Sequence, residues 1–298
     1  MGSLSRASLS LHIAQPALSQ QLARLEEDLG VRLLNRSVRG VTPTESGRAF
    51  YKQAQFILKQ VEQARISARE ADAGPAGPVA IGLPWSIAHL LGLELLSEMQ
   101  RNFPSVRLEL VEGPSSFLGG LLATGKLDLA VLFDENQFGG LEIQPLLEEP
   151  LLLVGTKGSF KNLQAASLAD VASLPLLMLS APNRIREQLD EELSTANLKP
   201  HVVAEINAPH LLQQAISKGL GFSVLPASGI EEWVRQGLLE AIPLSGLNMA
   251  RTVSLAHSRL FPLSVAADCV SKLFKRLVIN AIERRRWRGE LLDFDVSI

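Results

Sequence analysis

From Leu4 to Leu29 the apolar positions repeat with a helical period that is interrupted once. Leu4, Ala7 and Leu11 fall at helical spacing behind Ser3, which predicts a short helix capped by that serine. His12-Ile13-Ala14 breaks the pattern, and Pro16 follows, suited to a first turn because its missing N–H costs nothing there. Leu18, Leu22, Leu25 and Leu29 then form one stripe, predicting a longer amphipathic helix. A third helical pattern starts at Thr44, a suitable N-cap, and runs to about Asp72. Its apolar positions Phe50, Ala54, Ile57, Val61, Ala64, Ala68 and Ala71 alternate steps of four and three, a heptad seam. A lone helix of that length needs a partner over the stripe, either a second copy or the chain's own body. Ala73-Gly74-Pro75-Ala76-Gly77-Pro78 ends the pattern and reads as a hinge.

Beyond the hinge, strand and helix patterns alternate. Val79–Leu83, Val106–Glu112, Leu127–Phe133 and Leu151–Thr156 predict strands, with helices at Ile87–Phe103 and Ser116–Thr124 between the first three. This is an α/β order that implies a mostly parallel sheet. A second series has strands at Leu176–Leu179, Val202–Ile206 and Phe222–Leu225, with helices near Asn183–Ala196 and Pro209–Lys218. The stretch from Pro262 to about Arg288 predicts a final amphipathic helix.

Composition narrows the classes. With 298 residues, 46% of them hydrophobic, the chain has length and apolar content for two or three globular domains. The net charge of -2 does not advertise nucleic acid, but its distribution does more. Residues 1–72 carry ten Lys and Arg against seven Asp and Glu; residues 73–271 carry twelve against twenty. A basic front on an acidic body fits a DNA-binding head. Cys269 is the single cysteine, which excludes an intrachain disulfide, fits a reducing cytoplasm, and reads as a buried structural thiol. No apolar run predicts a membrane span, and no secretory signal opens the chain.

Gln15, Ser19, Gln20 and Arg24 lie off the leucine stripe, the first three near the helix N-terminus. A recognition helix enters the major groove with that end leading. A Gln amide pairs with adenine, Ser bonds base edges or phosphate, and the helix terminus itself favours phosphate. An ordinary helical hairpin has the same spacing. The balance shifts with Asn35-Arg36-Ser37-Val38-Arg39-Gly40-Val41-Thr42-Pro43-Thr44, two arginines around a glycine turn, which suits a β-wing on the phosphate backbone.

HIAQPALSQQLARLEEDLGVRLLNR, followed by RGVTPTESG, resembles the winged helix-turn-helix of LysR-type transcriptional regulators. The resemblance implies double-stranded promoter DNA as partner. It implies Gln15, Pro16, Ser19 and Gln20 in the recognition helix and Arg36, Arg39 and Thr42 at the wing. It also implies a further helix ahead of Gly2-Ser3-Leu4, so the winged helix-turn-helix reads as truncated, with Leu18, Leu22 and Leu25 losing part of their cover. Residues 1–43 would be the DNA-binding region, 44–72 a dimerisation helix, 73–78 the hinge and 79–298 the effector-binding domain. In the family that domain has two lobes of the periplasmic-binding-protein kind. Lobe I would comprise 79–154 and 253–298, and lobe II 155–252, with crossings near Gly155–Thr156 and Arg251–Thr252. AISKGLGFSVLP at 215–226 is a further family-like segment, with Gly219 and Gly221 in a tight helix-to-strand turn. RGVTPT, the VGT at 154–156 and the Arg-Trp tail resemble the nitrogen-assimilation-control branch.

Such folds bind ligands between lobes, at the carboxyl ends of strands. Trp85, Ser86, Ser115, Ser116, Asp134 and Asn207 are the candidate effector residues by that placement. Helix capping is an equal reading for Ser86 and Ser115, and Trp85 is either a platform for a ligand or a plug in the cleft. No arginine lies in these strand-end segments, which argues against a strongly acidic effector and leaves room for a regulator that needs none. Arg284-Arg285-Arg286-Trp287-Arg288 reads as a solvated helix end.

Three functions compete. A regulator accounts for both the head and the body, and the family implies a homodimer, a homotetramer and contact with RNA polymerase. A solute-binding protein would use only the two-lobed body and would need an export signal. An enzyme lacks support: His12, His89, His201, His210 and His257 show no metal-ligand spacing, and no nucleotide, cofactor or nucleophile motif appears. The reading is a transcriptional regulator with no metal and no cofactor.

Overall fold

Ser3 accepts a hydrogen bond from the Arg6 N–H at 3.4 Å and so starts α1 (Leu4–Leu11). The computed structural model describes residues 2–37, 40–133, 139–161, 163–247 and 249–294, with backbone alone at 56, 59, 62–63 and 66–73. The chain divides into two units, Met1–Arg65 and Ile66–Ile298.

In the first unit His12 closes α1 in the left-handed conformation (φ 54°), and α2 (Gln15–Leu29) follows with Pro16 in its first turn. Gly30, at φ 69°, ends α2. No residue of α2 is fully buried: Leu18, Leu22 and Leu25 are half-buried and Leu29 is exposed. The Glu26 carboxylate reaches past the helix end and accepts the Leu33 N–H (2.7 Å) and the Leu34 N–H (3.0 Å). That pins the start of β1 (Leu34–Ser37), which pairs antiparallel with β2 (Gly40–Pro43) in the register Arg36↔Val41. Thr44 caps α3 (Glu45–Ala73): its Oγ1 accepts the Gly47 N–H at 2.9 Å and donates to the Arg32 carbonyl at 2.7 Å. Gly47 has no alternative, because a Cβ there would stand 1.9 Å from the Leu33 carbonyl oxygen. Along the seam Phe50 and Ala54 are half-buried and Ala64 is exposed, while the side chains of Ala68 and Ala71 lie outside the described residues. Ile57, Leu58 and Val61 stand open at 59%, 69% and 47% exposure.

The second unit is built on β3 (Gly77–Leu83), β4 (Val106–Glu112), β5 (Leu129–Phe133), β6 (Leu141–Thr156), β7 (Pro175–Leu179), β8 (His201–Ile206), β9 (Ser223–Pro226), β10 (Leu239–Pro243), β11 (Ala250–Ser258) and β12 (Glu290–Leu291). Its helices are α4 (Trp85–Ile87), α5 (Leu93–Asn102), α6 (Ser115–Ala123), α7 (Leu168–Ser173), α8 (Arg184–Thr195), α9 (Pro209–Ser217), α10 (Ala227–Arg235) and α11 (Val265–Glu283). A π-helical turn, Ala88–Gly92, joins α4 to α5.

The main sheet runs β10-β6-β11-β5-β3-β4, with β9 and β12 also on β6. Among the named strands, parallel pairing is confined to β3 with β4 and β5, and to the separate pair β7-β8. The rest is antiparallel, which corrects the expectation of a mostly parallel sheet. The cause is the pair of strands that leave one lobe and return to it. β6 pairs with β11 and β12 over its first part and with β9 and β10 over its last. The change falls at Pro150 and Leu151, and the return at Met249 and Ala250, where Leu151 N–H donates to the Met249 carbonyl at 2.9 Å. Both changes come earlier in the chain than the expected crossings at Gly155–Thr156 and Arg251–Thr252.

Alternation fixes the faces of β3. Val79, Ile81 and Leu83 pack with α5 and α11 in one core, while Ala80 faces a smaller core around Leu118 and Leu122 of α6. The second lobe has its own core, drawn from the last residues of β6, from β7, β9 and β10, and from α8 to α10. Gly219 (φ 73°) makes the turn between α9 and β9, and a Cβ on Gly221 would lie 2.6 Å from the Pro175 carbonyl. Cys269, expected to be buried, is half-buried in α11.

The C-terminal segment differs from its expectation. α11 stops at Glu283, Arg285 turns at φ 53°, and the chain comes back as β12 opposite Leu147 and Glu148. Gly289 permits the approach, since a Cβ would stand 2.8 Å from the Glu148 carbonyl oxygen. This is no solvated helix end: Trp287 is 1% exposed, and Arg286 pairs with Glu94.

Candidate functional site

Two candidate sites emerge, one in each unit. On the head, Gln15, Pro16 and Gln20 are exposed and Ser19 is half-buried, all in the first two turns of α2. Gln15 donates from Nε2 to Ser19 Oγ at 3.1 Å, which orients both polar groups on one side. The N-cap is Ala14 and makes no side-chain bond, so the first-turn N–H groups have no side-chain acceptor. An anion fits that arrangement. On the hairpin, Arg36 and Thr42 are both exposed, Thr42 opposite Asn35. Arg39 lies outside the described residues. The hairpin is tied to the helix through Glu26, whose carboxyl is held below its ordinary range. The two backbone N–H bonds from Leu33 and Leu34 are the main cause, with Arg36 and Arg32 adding their charge.

In the body, the crossing strands carry a buried polar cluster. Glu149 of β6 and Arg251 of β11 are direct cross-strand neighbours one pair before the lobes separate. Glu149 is 0% exposed and Arg251 8%. Arg251 Nε donates to Glu149 Oε2 at 2.7 Å. Glu149 Oε1 accepts the Trp287 indole N–H at 2.9 Å and also the backbone N–H of Ser228, in the first turn of α10. A second guanidinium nitrogen of Arg251 donates to Ser86 Oγ (2.9 Å) and Ser228 Oγ (3.2 Å). The guanidinium carbon sits 3.6 Å from the centre of the Phe133 ring. Four side chains from both lobes and the C-terminal segment thus meet around one ion pair. Beside them Trp85 presses on the backbone of α10: a Cβ on Gly229 would lie 2.6 Å from its ring.

Comparison with known proteins matches residues 1–48 to the bacterial regulatory helix-turn-helix protein family of lysR type, and residues 72–278 to the LysR substrate binding domain. The chain belongs to the LysR family. It is a LysR-type transcriptional regulator with a helix-turn-helix head and a two-lobed effector-binding domain. It is 36% identical over 279 residues to the nitrogen assimilation regulatory protein nac of Klebsiella aerogenes, spanning 93% of this chain and 91% of that one. To nac of Escherichia coli K12 it is 34% identical over 293 residues, spanning 97% and 94%. A full-length OxyR variant from Pseudomonas aeruginosa shares the fold, with a TM-score of 0.74 over 99% of this chain and 94% of that one at 24% identity. CbnR in complex with its target DNA gives 0.61 over 93% and 94% at 21% identity. The relatives are regulators.

For this LysR-family chain the effector candidates divide: Ser86 joins the Arg251 cluster, with Trp85 beside it, and Ser115, Ser116 and Asn207 do not. Ser86 is fully buried, and its hydroxyl accepts from Arg251. Ser115 accepts the Phe133 N–H at 3.1 Å. Neither caps its helix, because Pro84 and Pro114 hold the N-cap positions. Ser116 and Asn207 are exposed, and Asp134 lies outside the described residues. Trp85 is half-buried against Gly229 of α10. Sequence reasoning missed Glu149, Arg251, Ser228 and Trp287. The available signal was a glutamate just before the apolar run Leu151–Val154 and an arginine at the expected return crossing. Among the described residues no three His, Cys, Asp or Glu side chains group as metal ligands, and no helix is long and apolar enough to cross a membrane.

Proposed function

We propose that the regulator reads promoter DNA with the tip of α2 and holds the phosphate backbone with the wing. The observation that carries this is the exposed side of α2, where Gln15, Ser19 and Gln20 stand beside an uncapped helix N-terminus. Gln20 and Gln15 supply amides to base edges, and Ser19 a hydroxyl. Pro16 shapes the entry turn. Arg36 and Thr42, with Arg39, lie on the phosphates. The known complex of CbnR with its target DNA supports the same use of this fold. α3 joins two copies through Ile57, Leu58 and Val61, placing two heads on a pseudo-palindromic site. Body contacts then pair dimers into a tetramer, and the complex acts through RNA polymerase in the cytoplasm, with no catalytic step of its own.

The test is binding to promoter fragments at several salt concentrations. Arg36→Ala is expected to weaken binding to all fragments and to reduce the slope of log affinity against log salt by about one unit per head. Gln20→Ala is expected to keep that slope and relax sequence preference, at about 1–3 kcal/mol per lost base contact. An unchanged slope for Arg36→Ala and unchanged preference for Gln20→Ala would overturn the assignment.

A further inference from the structure

The cluster at the lobe crossing has the anatomy of a carboxylate-binding site. A guanidinium offers Nε to one oxygen. A helix N-terminal N–H and an indole N–H converge on the other. Two hydroxyls, Ser86 and Ser228, hold the far side of the guanidinium in place. These donors come from β11, α10 and the returning C-terminal segment, so the seat spans both lobes. Its occupant is a side chain of the protein itself, and every donor is aimed at that carboxylate.

We propose that Glu149 is a built-in carboxylate ligand. It fills an anion seat between the lobes, made by Arg251, Ser228 and Trp287, that would otherwise take a small carboxylate from solution. Three features support this. Glu149 and Arg251 face each other one residue pair before the crossing, so the anion is held beside the point about which the lobes would move. Ser228 N–H lies in the first turn of α10, where a negative charge is favoured. Trp287, from a segment beyond the residues matched to the effector-domain family, closes the seat from outside and is itself excluded from water. The carboxylate that fills the seat is covalently present, and its departure would break the bonds from Arg251, Ser228 and Trp287 together.

The inference concerns the body alone and is tested without DNA. The full chain and its Glu149→Ala variant are melted in sodium formate and sodium acetate against sodium chloride at matched ionic strength. Glu149→Ala empties the seat while keeping Arg251 and Trp287. Its melting temperature is expected to fall below that of the wild type and to rise with formate or acetate in a saturable way, more than with chloride. The wild type is expected not to respond, and Glu149→Ala/Arg251→Met is expected to lose the response. A variant indifferent to formate and acetate would overturn the proposal, and so would a wild type that responds equally. Glu149→Gln covers the case of an alanine variant that does not fold. It keeps the volume and removes the charge, so its melting temperature is expected to drop and to recover in Glu149→Gln/Arg251→Met. A Glu149→Gln protein melting with the wild type would equally overturn it.

Discussion

Two carboxylates show how differently one residue type is used. Glu149 is sealed from water, and its charge is tolerated because three N–H donors surround it. Removing its partner leaves a buried charge uncompensated, which typically costs about 3–5 kcal/mol. Arg251→Ala is therefore expected to lose stability on that scale in denaturant unfolding, and Trp287→Phe, which deletes one donor, about 1–3 kcal/mol. Glu26 works at the surface. Its folded-state carboxyl titrates below the ordinary 4.5, so it contributes stability above that value and loses it as pH falls through the depressed one. Thermal melts in acid should show a head that weakens on acidification, and a shallower loss in Glu26→Gln, which no longer titrates.

At the scale of elements, what could be read in advance followed from periodicity. α1, α2 and α3 were legible because their apolar residues recur at helical spacing and Ser3, Pro16 and Thr44 mark their starts. β3 was legible because Val79, Ile81 and Leu83 alternate with small residues. The first part of β6 was hidden by two prolines. Pro145 sits where the register shifts opposite Val253 and Ser254, and Pro150 sits at the crossing, two places where a strand can do without a ladder N–H. The returning segment was hidden by its arginines, which gave a solvated appearance to a stretch whose tryptophan is internal. The recognition helix was open to sequence reasoning because its function lies in local spacing. The ion pair was not, since Glu149 and Arg251 are 102 residues apart and meet only through strand register. Gly289→Val tests the returning segment as an element. Its side chain would meet the Glu148 carbonyl, so β12 is expected to detach and expose Trp287, seen as a red shift and greater acrylamide quenching of tryptophan fluorescence.

For the whole molecule, the dimer contact proposed for the open apolar residues of α3 would link oligomer state to DNA affinity. If two heads share one promoter, the second binds at high effective concentration, and the pair gains far more than either alone. Val61→Asp places a charge in that seam. Sedimentation should show a smaller species, and promoter binding should weaken steeply with a flatter salt dependence, although no residue of α2 has changed. A variant that remained the same size in solution would move the dimer contact elsewhere.

The crossing strands also set an order of events during synthesis. The second lobe is a single continuous stretch between Leu151 and Met249, so it has all its strands and helices before the first lobe is complete. The first lobe must wait for β11, and Glu149 must wait for Trp287, 138 residues later, before its last donor is in place. Chains emerge from the N-terminus, and domains generally fold as units in that order. The DNA-reading head therefore leaves the ribosome long before the body is closed, and a nascent or broken chain ending before Trp287 carries a head without its finished regulatory partner. The charge at the lobe crossing is thus fully covered only once translation has passed Trp287.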